Sequence, residues 1–153
     1  KFNGVKRRFE MKYEDINKKI NYVDDYAHHP SEIKSTINSI KTGWPSKRII
    51  TIFQPHLYSR TEIFYKEFAN SLLKSDINII TNIYGSRETK IKNVTSKLIL
   101  NELVSMGHSD SFLIPKNNIA KKINEIVNEN DMIITMGAGD IYKTLDDIYN
   151  LIS

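Results

Sequence analysis

The fold is decided by residues 22–32, which read YVDDYAHHPSE. An apolar, strand-like entry leads into two carboxylates, a phenol and two imidazoles, and Pro30 then begins a helical pattern. Proline suits the first turn of a helix, and Ile33, Ile37 and Ile40 follow at helical spacing. A hydrophobic core does not need this mixture of polar side chains. The segment therefore predicts a strand, a functional loop and a helix in succession.

A second predicted strand also ends in a polar loop that opens a helix. Residues 48–53 (RIITIF) form a nearly unbroken apolar run, which is typical of a strand covered on both faces. Residues 54–61 (QPHLYSRT) follow it, and Ser59 or Thr61 is predicted to cap the next helix. Two such loops indicate one site.

Strands and helices alternate along the rest of the chain. The predicted strands are 9–16, 20–25, 77–83, 112–114 and 132–136, and further helices are predicted at 61–72, 95–106, 119–127 and 141–152. Parallel neighbours need crossover connections, and those crossovers are right-handed. We therefore predict an α/β fold with a doubly wound, mostly parallel sheet and helices on both faces. Ligands of such sheets bind beyond the carboxyl ends of the strands, so both polar loops should lie along one edge.

The composition predicts a single domain over residues 1–153, since domains usually contain about 100 to 200 residues. The absence of cysteine excludes a disulfide scaffold and a thiolate metal site, and is compatible with the cytoplasm. No apolar run approaches the roughly 18 residues of a membrane span. The net charge of +4 is scattered, and no nucleic-acid module is recognisable. We expect neither membrane nor nucleic acid as a partner.

The first polar loop offers candidates for ligand contact in Asp25, Tyr26 and His28. A carboxylate can accept from hydroxyls or hold a cation, and an imidazole titrates near neutrality. A metal site built from Asp25, His28 and His29, together with His56, is an alternative, but adjacent histidines at a strand end usually point apart, so we expect no metal here. Asp24 and His29 are instead expected to cap the following helix.

The second polar loop places Arg60 near a helix start. Its guanidinium and the nearby backbone N–H groups could together hold a carboxylate or phosphate, although an ordinary surface arginine is the alternative. Gln54 and His56 are expected to fix the loop by packing. Residues 137–140 (GAGD) follow a buried strand and predict a tight strand-to-helix turn, because a dinucleotide fingerprint would lie in the first βα turn.

These segments, together with residues 4–10 (GVKRRFE) and 136–141 (MGAGDI), resemble the Mur ligase family over essentially the whole chain. The likeness is nearest to the members that join L-alanine to UDP-N-acetylmuramate. It implies that ATP phosphorylates the muramoyl carboxylate, that the alanine amine attacks the acyl phosphate, and that ADP and phosphate leave. This would be a cytoplasmic ATP-dependent ligase of peptidoglycan-precursor synthesis.

The resemblance also implies roles for individual residues. The residues that it places against the substrates are Tyr26, His28 and Arg60. The residues that it places near the nucleotide are Asp25, beside the ATP ribose, and Gly137 and Gly139. Many relatives carry a second arginine where this chain has Leu57, so Arg60 would bear more of the amino-acid binding.

The 153 residues contain no P-loop and no acidic pair dedicated to Mg²⁺. The resemblance assigns ATP and Mg²⁺ mainly to a central domain and the UDP-sugar to an amino-terminal domain. Because the chain begins at Lys1 within a family motif, we expect a piece of a longer protein that is inactive alone. The alternatives are the related ligase that recycles a tripeptide, a non-catalytic nucleotide-binding module, and a His/Asp metal hydrolase.

Overall fold

A single six-stranded sheet forms the centre of the molecule. The computed structural model describes residues 7–153, so residues 4–6 of the amino-terminal motif lie outside the described part. The strands are β1 (Glu10–Asp15), β2 (Ile20–Asp25), β3 (Arg48–Phe53), β4 (Ile77–Ile80), β5 (Ser111–Leu113) and β6 (Asp131–Met136). Their order is β1-β2-β6-β3-β4-β5. Only the β1–β2 pair is antiparallel.

Helices cover both faces of the sheet. They are α1 (Pro30–Gly43), α2 (Tyr58–Leu72), α3 (Lys97–Ser105), α4 (Ile119–Ile126) and α5 (Thr144–Ile152). Short 3-10 turns precede α4 at Lys116–Asn118 and α5 at Ile141–Lys143. The first three helices share one core with the sheet, and α4 and α5 share the other. The predicted doubly wound α/β fold is confirmed.

The continuous apolar run of β3 is explained by burial on both faces. Successive side chains of a strand point to opposite sides of the sheet. Ile49 and Phe53 accordingly join the core under α1 to α3, whereas Ile50 and Ile52 join the core under α4 and α5. All four are fully buried. Burial of each side chain contributes about 1.5 to 3 kcal/mol, so the run stabilises both layers.

The start of α1 matches one part of the capping prediction and contradicts the other. His29 is the N-cap: its Nδ1 accepts from the backbone N–H of Ser31, and the Glu32 carboxylate accepts from the His29 N–H. The prediction for His29 is confirmed. The prediction for Asp24 is wrong, because this residue lies within β2, is fully buried and bonds to Thr135 and Arg7.

The predicted cap of α2 is wrong. The N-cap position is Leu57, whose φ is 71° and whose side chain forms no capping bond. Thr61 lies inside the helix, where its hydroxyl donates to the Leu57 carbonyl. Ser59 donates its backbone N–H and its hydroxyl to the carboxylate of Glu88, so a residue distant in sequence supplies the acceptor. A partner so distant in the chain cannot be predicted from the residues around the helix start.

Other predicted boundaries shift as well. The fourth strand ends at Ile80 and not at residue 83, because its neighbour β5 ends at Leu113 and offers no further ladder partner. The helix predicted over residues 95–106 is shorter and covers Lys97–Ser105. Among the helices of residues 7–153, none combines the length and the apolar character needed to cross a membrane.

Candidate functional site

The polar loops meet at the carboxyl ends of three adjacent parallel strands. Asp25 at the end of β2 and Phe53 at the end of β3 both pair with Met136, the last residue of β6. The loops that follow these three strands therefore lie side by side at one edge of the sheet. The predicted single edge is confirmed by this register.

Asp25 is held by the protein on both carboxylate oxygens. Its Oδ1 accepts from the Ala27 N–H at 2.7 Å, and its Oδ2 accepts from the Phe9 N–H at 3.1 Å and the Thr36 hydroxyl at 3.3 Å. The side chain is only 9% exposed. A carboxylate has about four acceptor sites, so roughly one remains for a ligand.

Asp24 anchors the described beginning of the chain to the same edge. Its carboxylate accepts from Arg7 Nε at 3.1 Å and from the Thr135 hydroxyl at 2.8 Å. Desolvation raises the pKa of Asp24, while these two bonds act in the opposite direction. Arg7 also donates to the Gly137 carbonyl at 3.0 Å and lies over the ring of Tyr26, with 5.1 Å from its Cζ to the ring centroid. Arg7 thus ties the β2 loop to the β6 turn.

Tyr26 and His28 lie together in the loop after β2. Their rings make an edge contact with centroids 5.1 Å apart, and His28 Nδ1 lies 3.0 Å from the Tyr26 carbonyl oxygen. The same nitrogen lies 3.7 Å from a carboxylate oxygen of Glu32 on the first turn of α1. Two acceptors therefore face one ring nitrogen.

His56 connects this loop to the loop after β3. Its ring centroid lies 6.1 Å from that of His28 and 5.9 Å from that of Tyr84, on which it stacks. Arg60 NH1 lies 3.3 Å from His56 Nδ1. Burial lowers the pKa of His56, and the charges of Arg60 and His28 lower it further. The expected packing role of His56 is confirmed by the stacking on Tyr84.

The start of α2 was predicted to hold a carboxylate or phosphate through Arg60 and nearby backbone N–H groups, but one of these N–H groups already has a partner. The N–H of Ser59 is already bonded to Glu88, at 3.1 Å. The bonds from Ser59 lower the pKa of Glu88, so this carboxylate is charged at neutral pH. The N–H of Ser59 is therefore not free to join Arg60 in holding a ligand, and the role expected of the other N–H groups at this helix start stays a prediction. The guanidinium of Arg60, by contrast, has no carboxylate partner within residues 7–153.

The turn after β6 needs glycine because other groups approach it closely. Gly137 has a φ of 154°, and a Cβ at Gly139 would lie 2.6 Å from Gln54 Oε1 and 2.7 Å from Tyr84 Cγ. Gln54 donates to Asp140 at 3.0 Å and accepts from the Ile141 N–H at 3.2 Å. The predicted tight turn and the packing role of Gln54 are confirmed.

Asp140 is held from the other side by Lys116, whose Nζ lies 2.6 Å from Asp140 Oδ2. Partial burial acts to raise the pKa of Asp140, but the bonds from Lys116 and Gln54 outweigh it and the pKa is lowered. Throughout residues 7–153, no three His, Cys, Asp or Glu side chains are grouped closely enough to hold a metal ion.

Sequence reasoning missed the contributions of Arg7, Tyr84, Glu88 and Lys116 to this edge. Arg7 lies in the amino-terminal segment that carries the resemblance noted in the sequence, but its partners Asp24 and Gly137 are distant in sequence. Tyr84 and Glu88 lie in the long loop between β4 and α3, which carried no recognisable pattern.

Comparison with known proteins decides the family. Residues 7–139 match the family model described as Mur ligase, glutamate ligase domain. The chain belongs to the Mur ligase family. The match includes the β2 loop, the β3 loop and the turn at Gly137 and Gly139, so the edge described above lies within the family's own domain.

Curated Mur ligases resemble the chain over nearly its full length. It is 38% identical over 152 residues to the UDP-N-acetylmuramate–L-alanine ligase of Salinibacter ruber, covering 99% of this chain and 32% of that protein. It is 42% identical over 143 residues to the enzyme of the same name from Desulforamulus reducens, covering 93% and 30%. The chain thus spans about a third of the length of the curated relatives that it matches.

Solved Mur ligase structures share the fold. The UDP-N-acetylmuramate–alanine ligase of Thermotoga maritima superposes with a TM-score of 0.81 at 30% identity, covering 98% of this chain and 30% of that one. A domain from a putative UDP-N-acetylmuramate:L-alanyl-gamma-D-glutamyl-meso-diaminopimelate ligase of Haemophilus ducreyi has a TM-score of 0.69 at 20% identity. It is covered over 100% of its length, and this chain over 95%. At that identity the second likeness concerns the fold alone.

Proposed function

We propose that this chain is the carboxyl-terminal domain of a UDP-N-acetylmuramate:L-alanine ligase, which forms an amide bond at the expense of ATP through an acyl phosphate. The Mur ligase membership and the names of the curated relatives support the enzyme class. The observation that carries the proposal is the guanidinium of Arg60, which lies beside His56 at the carboxyl edge of the sheet, where the His56 ring contacts that of His28.

In this proposal Arg60 binds the carboxylate of L-alanine. Guanidinium groups bind carboxylates through paired, charge-assisted donors. Its NH1 reaches His56, which leaves the other donors of the fork for a ligand. Leu57 adds no charge here, and Glu88 disfavours a second anion at the first turn of α2. Tyr26 and His28 form the opposite wall of the amino-acid site.

The nucleotide is proposed to approach Asp25 and the glycine turn. Three bonds from the protein leave Asp25 about one acceptor site, so we expect it to bind one ribose hydroxyl and not two. Gly137 and Gly139 let the turn after β6 pack closely against Gln54 and Tyr84. The backbone of this turn is proposed to face the nucleotide. When bound, ATP supplies the phosphoryl group that activates the acid. The described residues supply only one side of that site.

The remaining partners are proposed to lie outside this chain. Its relatives are about three times as long, and we infer that their other domains bind UDP-N-acetylmuramate, ATP and Mg²⁺. Residues 1–153 then act as one domain that closes over the nucleotide, holds the amino acid and excludes water from the acyl phosphate. No Mg²⁺ ligand is assigned here. The isolated domain is accordingly proposed to be inactive.

The recycling ligase that attaches a tripeptide is the second candidate, because it is the other member of the family that the sequence resemblance left open. The discriminating experiment supplies the full-length protein with ATP, Mg²⁺ and UDP-N-acetylmuramate, together with either L-alanine or the tripeptide. We expect phosphate release and an amide product with L-alanine. If the protein uses the tripeptide but not L-alanine, it catalyses the recycling reaction. If it uses neither, both candidates are rejected.

A further inference from the structure

The two histidines of the site carry their protons on different ring nitrogens. His28 Nδ1 lies 3.0 Å from the carbonyl oxygen of Tyr26 and 3.7 Å from the carboxylate of Glu32. Both oxygens can only accept, so Nδ1 must carry a hydrogen. In the neutral ring the lone pair then lies on Nε2. A neutral imidazole has one donor and one acceptor nitrogen, so the partner of one fixes the role of the other.

His56 is arranged in the opposite way. Its Nδ1 lies 3.3 Å from Arg60 NH1, and a guanidinium can only donate, so Nδ1 is the acceptor and Nε2 carries the hydrogen. Burial and the positive charge of Arg60 oppose a second proton on this ring. His56 can therefore offer an N–H to a ligand, but it has no free lone pair with which to remove a proton.

We propose that His28 is the general base that deprotonates the amine of the incoming amino acid. The inference rests on the proposed ligase function. An amino acid enters mostly as the ammonium form at neutral pH, and that form has no lone pair for attack. His28 Nε2 accepts one proton from the ammonium group, and the freed amine forms the C–N bond with the acyl phosphate carbon. The C–O bond to phosphate then breaks, phosphate leaves with its electron pair, and the second amine proton passes to solvent.

The surroundings of His28 suit this role. Glu32 places a carboxylate oxygen 3.7 Å from Nδ1 and helps to orient the ring, much as a carboxylate orients a catalytic histidine elsewhere. The other titratable neighbours are Tyr26 and His56, with Arg60 beyond His56. Glu88 also acts on His56 and partly offsets the effect of Arg60 on that ring. If Arg60 holds the carboxylate, the amine of the same small molecule faces the histidine pair.

The test compares His28→Asn with His29→Asn in the full-length enzyme. The second variant is a matched control, because His29 caps α1 and asparagine is a good N-cap. Two nucleophiles are supplied to the ATP-activated acid: L-alanine, which must lose a proton, and hydroxylamine, which is already neutral near pH 7. General bases contribute about 100-fold to 10,000-fold to a rate. We expect His28→Asn to lose alanine ligation by a factor in that range while hydroxamate formation stays near wild type.

The pH profile gives a second readout. Ligation by His28→Asn should rise about tenfold per pH unit on the alkaline side as free amine accumulates, whereas the wild type should level off. Equal loss with both nucleophiles, or an unchanged rate of alanine ligation, would overturn the base assignment. Retained hydroxamate formation shows that the variant is folded. A wild-type enzyme that never uses L-alanine would reject the proposed function itself, which is a separate outcome.

Discussion

Arg60 NH1 lies 3.3 Å from Nδ1 of His56, which makes this nitrogen an acceptor and leaves the proton of the neutral ring on Nε2. His28, whose ring centroid is 6.1 Å away, has the opposite arrangement. The two neighbouring rings therefore differ at Nε2, which carries the N–H in His56 and the lone pair in His28. Such a pair suits the proposed site, which would hold a zwitterion and then take a proton from it.

The first prediction concerns the titration of His56. Its pKa should lie below the ordinary 6.5, and Arg60→Met should raise it by removing the adjacent charge. Chemical shifts of the imidazole, followed against pH in the isolated domain, measure both values. Lys66→Met is the control. It removes a positive charge from the same helix, but at a residue that lies further along the helix than Arg60, which contacts His56.

The same shift fixes the sign of a stability effect. The unfolded chain binds a proton at His56 below about pH 6.5, whereas the folded chain binds it only at lower pH. Between the two values the unfolded state binds more protons, so the free energy of unfolding should decrease as the pH falls through this window. Arg60→Met should weaken that dependence. If the free energy of unfolding depends on pH equally in the wild type and in Arg60→Met, the effect assigned to the charge of Arg60 on His56 is contradicted.

Gly139→Ala should destabilise the domain, because its Cβ would lie 2.6 Å from Gln54 Oε1 and 2.7 Å from the Tyr84 ring. Forcing an atom into such a packed region costs about 1 to 3 kcal/mol. In thermal unfolding this corresponds to about 2 to 4 °C per kcal/mol for a chain of this size.

Gly43→Ala is the matched control for that substitution. Nothing lies within 4 Å of the Cβ it would add, and it ends helix α1. Alanine is preferred over glycine in a helix by roughly 0.5 to 1 kcal/mol, so the control should leave the melting temperature unchanged or slightly higher. An equal loss of melting temperature in both variants would show that the close approach of Gln54 and Tyr84 is not the reason why residue 139 must be glycine.

Much of the fold could be predicted because its signals are local and periodic. The unbroken apolar run of β3 indicated burial on both faces, and Ile33, Ile37 and Ile40 indicated the buried stripe of α1. The register of parallel strands then brought Asp25 and Phe53 to the same edge. The positions of Tyr26, His28 and Arg60 at that edge followed from the fold, while their contacts with substrates remain predictions.

What the sequence could not predict depends on contacts between distant residues. Glu88 reaches the start of α2 from the loop after β4, so the local prediction of a Ser59 or Thr61 cap was wrong. Asp24 was expected at a helix start, but its ion pair with Arg7 and its bond to Thr135 hold it in the sheet. Nothing in the spacing of those residues shows that they meet.

Asp25→Asn should raise the Michaelis constant for ATP more than that for L-alanine in the full-length enzyme, since it replaces a carboxylate oxygen that we expect to accept from the ribose. Thr36→Val removes one structural bond to Asp25 and keeps the carboxylate, so it is the control for loop distortion. Steady-state kinetics with each substrate varied in turn measure the effect. Equal changes in both constants, in both variants, would make Asp25 a purely structural residue.

The isolated chain should unfold cooperatively, because two buried cores enclose its sheet. It should not release phosphate from ATP, since the 153 residues lack a P-loop. A thermal melt and a phosphate assay on the same preparation measure both properties. Phosphate release that depends on ATP and L-alanine would contradict the proposed division of labour between domains.

The most direct test of the amino-acid site is Arg60→Ala in the full-length enzyme, with alanine-dependent ligation and hydroxylamine trapping of the acyl phosphate measured side by side. A charge-assisted hydrogen bond contributes about 1.5 to 3 kcal/mol, so alanine use should weaken roughly tenfold to a hundredfold. Trapping should persist, Arg60→Lys should restore only part of the loss, and Lys66→Ala should behave as wild type. Loss of trapping in step with ligation would assign Arg60 to the phosphate, and no change in either would contradict the site proposed at this edge of the sheet.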